Sequence, residues 1–236
     1  MEVRISDCRL HYEEAGSGEP LVLLHGNGED CGYFARQMDY FSTKYRVIAL
    51  DTRGHGKSER GSAPFTIAQF AEDLRQALEK IAPEPVHLLG FSDGGNIAVA
   101  FALRWPGLLR SLILNGANLR PSGVKFFVQA PIVLGYGLCR LLSPFSSRAG
   151  KNGELLGLMV TQPYVEEREL GAIRVPALVI AGNRDMIREA HTRSIAAGIA
   201  GSRLVILEGD HFVASNEPEA FNRAVEAFLE EVRGGK

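Results

Sequence analysis

Short apolar runs alternate with segments of helical periodicity over most of the chain. The runs have the length of strands and lie at 21–24, 47–50, 86–89, 111–114, 177–181 and 203–207. Continuous apolar strands separated by amphipathic helices are typical of a mostly parallel sheet that is covered on both faces. The pattern therefore predicts an α/β fold.

Three further segments extend this pattern. Alternating apolar residues within 2–14 predict two short strands. Thr66 and Gln69 form a capping-box pattern at the start of a helix whose inward positions are Ile67, Phe70, Leu74, Leu78 and Ile81. A last helix is predicted from Pro218 to about Val232.

The alternation stops between Asn118 and Ile173. Four prolines interrupt this segment, which is nevertheless rich in large apolar residues. It is too apolar for a linker and too irregular for the sheet, so we expect two or three short helices that form a small lid. The predicted organisation is one domain, with a core of residues 1–117 and 174–236 and a helical cap of residues 118–173.

A glycine-rich turn joins the apolar run at 86–89 to a helical pattern. Gly90, Ser92 and Gly94 form a Gly-x-Ser-x-Gly cluster in this turn. A chain that passes from strand to helix without a loop must bend sharply, and glycines on either side relieve the crowding. Ser92 is therefore predicted to expose its hydroxyl as a nucleophile.

A serine nucleophile needs a base that is held in one orientation by a third group. His25 and His55 belong to glycine-rich loops, whose backbone we expect them to hold, and three other histidines lie within predicted strands or a helix. His211 follows the last strand, and parallel strands end on one edge of the sheet, the edge that carries the serine turn. His211 is therefore the predicted base.

Three carboxylates compete to orient this histidine. Asp185 ends the preceding strand and is predicted to reach the same edge of the sheet. Asp210 is adjacent to His211 in sequence, and neighbouring side chains of an extended loop point apart. Asp93 is next to the nucleophile and is better placed to line the pocket. Asp185 is therefore the predicted acid, which gives the chain order Ser, Asp, His.

Attack on a carbonyl creates an oxyanion that needs donors already in place. The backbone N–H of Asp93, at the start of the helix, is one predicted donor. The backbone N–H of Asn27 is the other, because glycines on both sides of it allow a close approach. The Asp93 side chain has two possible roles, binding a substrate amine or capping the helix, and capping is favoured.

Aromatic and sulfur-containing side chains of the cap are candidates for an acyl pocket. We expect Phe126, Phe127, Tyr136 and Met159 to contact substrate. For any one of them, packing between the small helices is the competing interpretation.

Composition excludes several classes of function. The chain has 236 residues, 45% hydrophobic residues and a formal net charge of −2, which gives no general attraction to nucleic acid or anionic lipid. Three widely spaced cysteines without a C-x-x-C pair favour reduced thiols over a disulfide framework or a metal site. We therefore expect no nucleic-acid partner, no membrane insertion and no bound metal, in a cytoplasmic monomer or homodimer.

These motifs together resemble the α/β-hydrolase fold superfamily. The resemblance covers positions 25 to 211 and is carried by His25-Gly26, by the Asp51-x-Arg53-Gly54-x-Gly56-x-Ser58 loop, by the serine turn, by Gly182 to Asp185 and by Gly209-Asp-His211. It implies an eight-stranded sheet with one antiparallel strand, a helical cap after the sixth strand and no metal or organic cofactor. It also implies a triad of Ser92, Asp185 and His211.

The Gly-Phe-Ser-Asp-Gly-Gly form of the turn is similar to an esterase branch that includes valacyclovir hydrolase-like enzymes. We expect hydrolysis of a carboxylic ester through an acyl-enzyme, with a thioester or an activated amide as the alternative substrate class. Resembling sequences also hydrolyse C–C bonds or act as cofactor-free peroxidases with the same triad. A binding protein that retains the fold without turnover is the alternative from a different class.

Overall fold

The computed structural model of the chain describes residues 1–235. Its centre is one eight-stranded sheet with the order β1-β2-β4-β3-β5-β6-β7-β8. The strands are β1 (Glu2–Arg4), β2 (Arg9–Ala15), β3 (Pro20–Leu24), β4 (Arg46–Leu50), β5 (Val86–Phe91), β6 (Leu109–Asn115), β7 (Ala177–Gly182) and β8 (Arg203–Leu207). β2 runs antiparallel to both of its neighbours, and all other pairs are parallel. The predicted sheet with one antiparallel strand is therefore confirmed.

Helices cover both faces of the sheet. They are α1 (Ala35–Phe41), α2 (Ile67–Ile81), α3 (Asp93–Arg104), α4 (Phe126–Leu142), α5 (Ser147–Thr161), α6 (Glu189–Gly198), α7 (Val213–Asn216) and α8 (Pro218–Gly234). One apolar cluster joins α2, α3 and α6 to one face, and a second joins α1 and α8 to the other. Every residue of β3, β5 and β7 is buried, which explains why apolar residues predominate in these strands.

The capping box predicted for α2 forms only in part. Thr66 accepts a hydrogen bond from the backbone N–H of Gln69 at 3.1 Å, as expected. The side chain of Gln69 does not return the bond but donates to Asp73 at 2.9 Å. Asp73 in turn binds the fully buried guanidinium of Arg53 through two bonds of 2.7 Å. Gln69 therefore helps to orient the buried ion pair of Arg53 and Asp73 and does not complete the capping box.

The segment between β6 and β7 forms two helices, α4 and α5, which pack against each other. Pro131 interrupts the helical pattern in the sequence, yet α4 continues through it. At the sixth position of α4, proline removes the one hydrogen bond that an N–H there would have donated to the carbonyl oxygen of Phe127, and the helix continues beyond it. The result is a helical hairpin over the edge of the sheet at which β3, β5, β6, β7 and β8 end.

Candidate active site

Ser92 lies in a strained turn between β5 and α3. Its φ of 52° and ψ of −118° make it the sole non-glycine residue with positive φ within residues 1–235. A Cβ on Gly90 would lie 2.2 Å from the carbonyl oxygen of Gly94, and a Cβ on Gly94 would lie 2.1 Å from that of Leu24. Both glycines are therefore needed for the chain to bend here.

The loops after β7 and β8 bring two further side chains to Ser92. His211 Nε2 lies 3.0 Å from Ser92 Oγ, and His211 Nδ1 lies 2.7 Å from Asp185 Oδ1. Since an ionised carboxylate can only accept, Nδ1 carries the proton and donates a hydrogen bond to Asp185. Nε2 is then left to accept the proton of the Ser92 hydroxyl. The arrangement can deprotonate Ser92 as it attacks an electrophile.

Asp210, the other candidate for orienting His211, forms its hydrogen bonds with other groups. Asp210 Oδ1 accepts the backbone N–H of Phe212 at 2.9 Å and the side-chain amide of Asn216 at 3.1 Å. Asp185 is buried, and its Oδ1 also accepts the backbone N–H of Ile187 at 2.8 Å. The structure therefore brings Asp185, and not Asp210, together with His211.

The imidazole of His211 is enclosed by groups that the sequence did not single out. The Phe91 ring lies 4.8 Å from it between centroids, and the Phe212 ring lies 5.5 Å away at 81°. Gly116, directly after β6, has a φ of 61°, and a Cβ there would lie 2.7 Å from His211 Cε1. The available sequence signal was a glycine at the end of a strand, which alone does not indicate which side chain packs there.

The two predicted oxyanion donors are unused in the folded chain. Within residues 1–235, neither the backbone N–H of Asn27 nor that of Asp93 donates a hydrogen bond. By contrast, the backbone N–H of Ser92 donates to the carbonyl oxygen of Asn115 at 2.8 Å. Unused N–H groups at the start of a helix and in a glycine loop are suited to an anion. Their role as an oxyanion hole stays a prediction.

Two histidines hold the loops near this site. His25 Nδ1 donates to the carbonyl oxygen of Gly26 at 2.7 Å, and its Nε2 accepts the backbone N–H of Thr52 at 3.0 Å. Burial and the neighbouring His55 lower the pKa of His25 to about 4, so its ring is neutral. His55 Nδ1 contacts Thr52 Oγ1 at 3.0 Å. Both histidines therefore have the structural role expected of them.

The side chain of Asn27 links this loop to the cap. Its Nδ2 donates to the carbonyl oxygen of Leu155, in α5, at 2.7 Å. From the sequence only the backbone of Asn27 was singled out, and no local signal indicated this contact. The loop that carries a candidate oxyanion donor is thus fastened to the helix above it.

Asp93 does not cap α3, contrary to the favoured interpretation. It lies one position inside the helix, and its Oδ1 accepts the side-chain amide of Asn96 at 3.0 Å. Asn96 also donates to Asn118 Oδ1 at 3.1 Å. Asp93 Oδ2 is buried without a hydrogen-bond partner in residues 1–235, and burial raises the pKa of this carboxyl to about 6.

The predicted substrate-binding residues of the cap are not gathered in one place. The side chains of Phe126 and Phe127 are 76% and 71% exposed, so no pocket encloses them. Tyr136 is half-buried and lines a cavity of about 700 Å³ between α4, α5 and Phe65, which the triad does not line. Met159 is half-buried, and its carbonyl oxygen accepts from Gln129 at 2.9 Å. Contact of these four with substrate stays a prediction.

One cluster of potential metal ligands lies outside this site. The ligand atoms of His11, Glu13 and Cys31 all lie within 4.8 Å of one another. Burial raises the pKa of the Cys31 thiol to about 12, whereas a metal binds the thiolate. The Cys31 thiol therefore carries its proton in the folded chain.

Comparison with known proteins agrees with this geometry. The profile of a family described as alpha/beta hydrolase fold matches residues 19–134. The chain is similar in structure to an enol-lactonase from Burkholderia xenovorans, with a TM-score of 0.83, 26% identity and coverage of 98% of this chain and 100% of the other. It has the α/β-hydrolase fold.

Two curated relatives of this chain have hydrolase names. The (E)-2-((N-methylformamido)methylene)succinate hydrolase of Acinetobacter baylyi is 28% identical over 246 positions, covering 93% of this chain and 94% of the relative. The mouse serine hydrolase BPHL is 28% identical over 258 positions, covering 97% of this chain and 86% of the relative. Within residues 1–235 no helix has both the length and the apolar character needed to cross a bilayer.

Proposed function

We propose that this α/β-hydrolase is a serine hydrolase that cleaves a carboxylic ester through an acyl-enzyme. The single observation that carries the proposal is the relay from Ser92 Oγ to His211 Nε2 at 3.0 Å and from His211 Nδ1 to Asp185 at 2.7 Å. The strained backbone of Ser92 supports it, because such strain is typically retained where it positions a reacting group.

In the proposed reaction, His211 accepts the proton of Ser92 as Oγ bonds to the ester carbonyl carbon. The oxyanion that forms is bound by the backbone N–H groups of Asn27 and Asp93. Collapse of the tetrahedral intermediate breaks the bond to the alcohol oxygen, which takes the proton from His211. Water then attacks the acyl-enzyme with His211 again as base, and the acid and free Ser92 are released.

The two free backbone N–H groups, of Asn27 and Asp93, are suited to an acyl substrate. Neither unused N–H has another acceptor within residues 1–235, so an oxyanion would bind them without displacing an existing bond. An enol-lactone, the substrate class in the name of the similar Burkholderia protein, is itself a cyclic ester. This likeness supports the ester class for the present chain.

The proposal is tested with a fluorophosphonate probe and a panel of nitrophenyl esters. We expect the probe to label Ser92 and the esters to be hydrolysed, with both lost in Ser92→Ala. Turnover of a vinylogous diketone without ester hydrolysis would instead indicate a C–C hydrolase. Absence of labelling in the folded wild-type protein would indicate a binding protein and overturn the proposal.

A further inference from the structure

The loop after β3, residues 25–29, carries a candidate oxyanion donor and lies beside the serine turn. A Cβ on Gly94 would lie 2.6 Å from the carbonyl oxygen of His25, and a Cβ on Gly26 would lie 3.0 Å from the Phe91 ring. The donor in this loop is a backbone N–H, so its direction is that of the loop itself. Its position relative to the nucleophile therefore depends on how the loop is held.

Hydrogen bonds from within the loop hold only its first half. His25 Nδ1 donates to the carbonyl oxygen of Gly26 at 2.7 Å, and the N–H of Gly26 donates to Glu29 Oε2 at 3.1 Å. Within residues 1–235, neither the carbonyl oxygen of Asn27 nor the N–H of Gly28 forms a hydrogen bond. Gly28 has a φ of 77°, and a Cβ there would meet nothing within 4 Å. The second half of the loop therefore lacks support from its own backbone.

The side chain of Asn27 supplies this support from the cap. Its Nδ2 donates to the carbonyl oxygen of Leu155, in α5, at 2.7 Å. The planar peptide group between Gly26 and Asn27 contains both the carbonyl that His25 binds and the N–H of Asn27. A peptide group that is held at its carbonyl alone can pivot, whereas a second attachment at the next Cα sets the direction of its N–H.

The helix α5 is a firm anchor for this bond. Its Leu158 is 1% exposed and belongs to the main apolar cluster. Arg60, from the core, donates to the Glu154 carboxylate through bonds of 3.0 and 2.5 Å. Gln162, just after α5, accepts the backbone N–H of Ile67 at 2.9 Å. Because α5 is tied to the core at several points, it can hold the loop in place.

We propose that Asn27 is a positioning residue, whose side chain holds its own backbone N–H in the direction that binds the oxyanion. The proposal rests on the proposed function, since this N–H acts only when an oxyanion forms at Ser92. The amide group itself contacts Leu155 and not the reacting atoms. The cap helix α5 is then part of the support of the catalytic site as well as a cover over it.

Steady-state kinetics of two variants test this role. Asn27→Ala and Asn27→Leu both remove the donor and differ in volume. We expect each to lower kcat for a nitrophenyl ester by about 10- to 100-fold with KM within about threefold, because a tilted N–H weakens binding of the transition state more than that of the substrate. A trifluoromethyl ketone, which forms a tetrahedral adduct with Ser92, should bind more weakly by the same factor as kcat/KM falls.

Glu154→Ala is the matched control, because it removes the neighbouring link between α5 and the core without changing the loop. We expect it to lower kcat by less than about threefold. Equal losses of kcat in Glu154→Ala and Asn27→Ala would show that Asn27 only holds the cap, and would overturn the proposal. A change confined to KM, or one found in Asn27→Leu alone, would also overturn it, since either would indicate an altered pocket.

Hydrogen exchange tests the fastening of the loop without any turnover. Circular dichroism first establishes that each variant is folded. Peptides that cover residues 25–30 should exchange faster in Asn27→Ala than in the wild type, and at the wild-type rate in Glu154→Ala. Unchanged exchange in Asn27→Ala would overturn the proposal whatever the activity. Faster exchange in a wild-type background that hydrolyses no ester would instead confirm the fastening and refute the proposed function, and with it the catalytic role of Asn27.

Discussion

His211 packs directly against the backbone of Gly116. A Cβ at Gly116 would lie 2.7 Å from His211 Cε1 and 2.9 Å from Nδ1, closer than packed atoms tolerate. It would also lie 3.3 Å from Asp185 Oδ2. The backbone after β6 thus forms one wall of the space in which the imidazole is held between Asp185 and Ser92.

Replacement of Gly116 by alanine should displace the imidazole. We expect kcat for an ester substrate to fall by about 10- to 100-fold with little change in KM, because a misplaced base slows proton transfer more than binding. Gly201→Ala is the matched control: Gly201 has a φ of 74°, but its Cβ would meet nothing within 4 Å. Equal losses of kcat in both variants would show that backbone strain, and not the contact with His211, is responsible.

Removal of the Ser92 hydroxyl should abolish turnover. We expect Ser92→Ala to lower kcat for nitrophenyl esters by about 10⁴-fold or more, since the bond to the acyl group can no longer form. The thermal midpoint should remain within a few degrees of wild type, because the deletion leaves the turn backbone intact. Ser6→Ala, at an exposed position, is the control. Substantial residual activity would place the nucleophile elsewhere.

Variants of Asp185 and Asp210 test which of these carboxylates orients His211. Asp185→Asn should lower kcat by about 10³- to 10⁴-fold, because an amide no longer holds the Nδ1 proton of His211 in place. Asp210→Asn should have less than about a tenfold effect, since Asp210 binds Phe212 and Asn216 and not His211. Steady-state kinetics of both variants decide the assignment, and the reverse order of effects would exchange their roles.

Asp93 should make the stability of the protein depend on pH. Its pKa is about 6 in the folded chain against an ordinary value of 3.8, so the folded state binds its proton more tightly than the unfolded state. Stability contributed by this group is therefore lost as pH rises from about 4 to above 6. The difference corresponds to about 3 kcal/mol.

Asp93→Asn carries no charge and should remove this dependence. The free energy of unfolding of the variant relative to wild type, from urea titrations, should rise by up to about 3 kcal/mol between about pH 4 and pH 8. Any constant cost of the amide shifts the whole curve and leaves the slope unchanged. A flat curve for Asp93→Asn would mean that the pKa of Asp93 is the same in the folded and the unfolded chain.

The features that the sequence predicted correctly depend on local constraints. The bend at Ser92 needs small neighbours at Gly90 and Gly94, and that requirement is visible in the sequence. The order of strands and helices follows from apolar periodicity in the same way. Patterns among residues that are close in sequence were therefore sufficient to predict the serine turn and most of the fold.

Contacts between distant segments were beyond this reasoning. Nothing in the sequence around Gly116 indicates that an imidazole packs on it, and nothing around Asn27 indicates the bond to Leu155. Exposure of Phe126 and Phe127 was also missed, because an apolar helix predicts burial until the position of its partner is known. These properties arise only when the segments are placed in three dimensions.

The lack of any buried residue in α4 has a consequence for how this chain can change. Substitutions in its outward positions alter surface character without opening cavities, so they leave the cooperative unfolding of the core largely untouched. The exposed leucines of this helix, Leu134, Leu138 and Leu141, can therefore be exchanged at little cost to the folded core. A chimera that exchanges only these leucines would change the outer surface of the cap while the same sheet continues to fold.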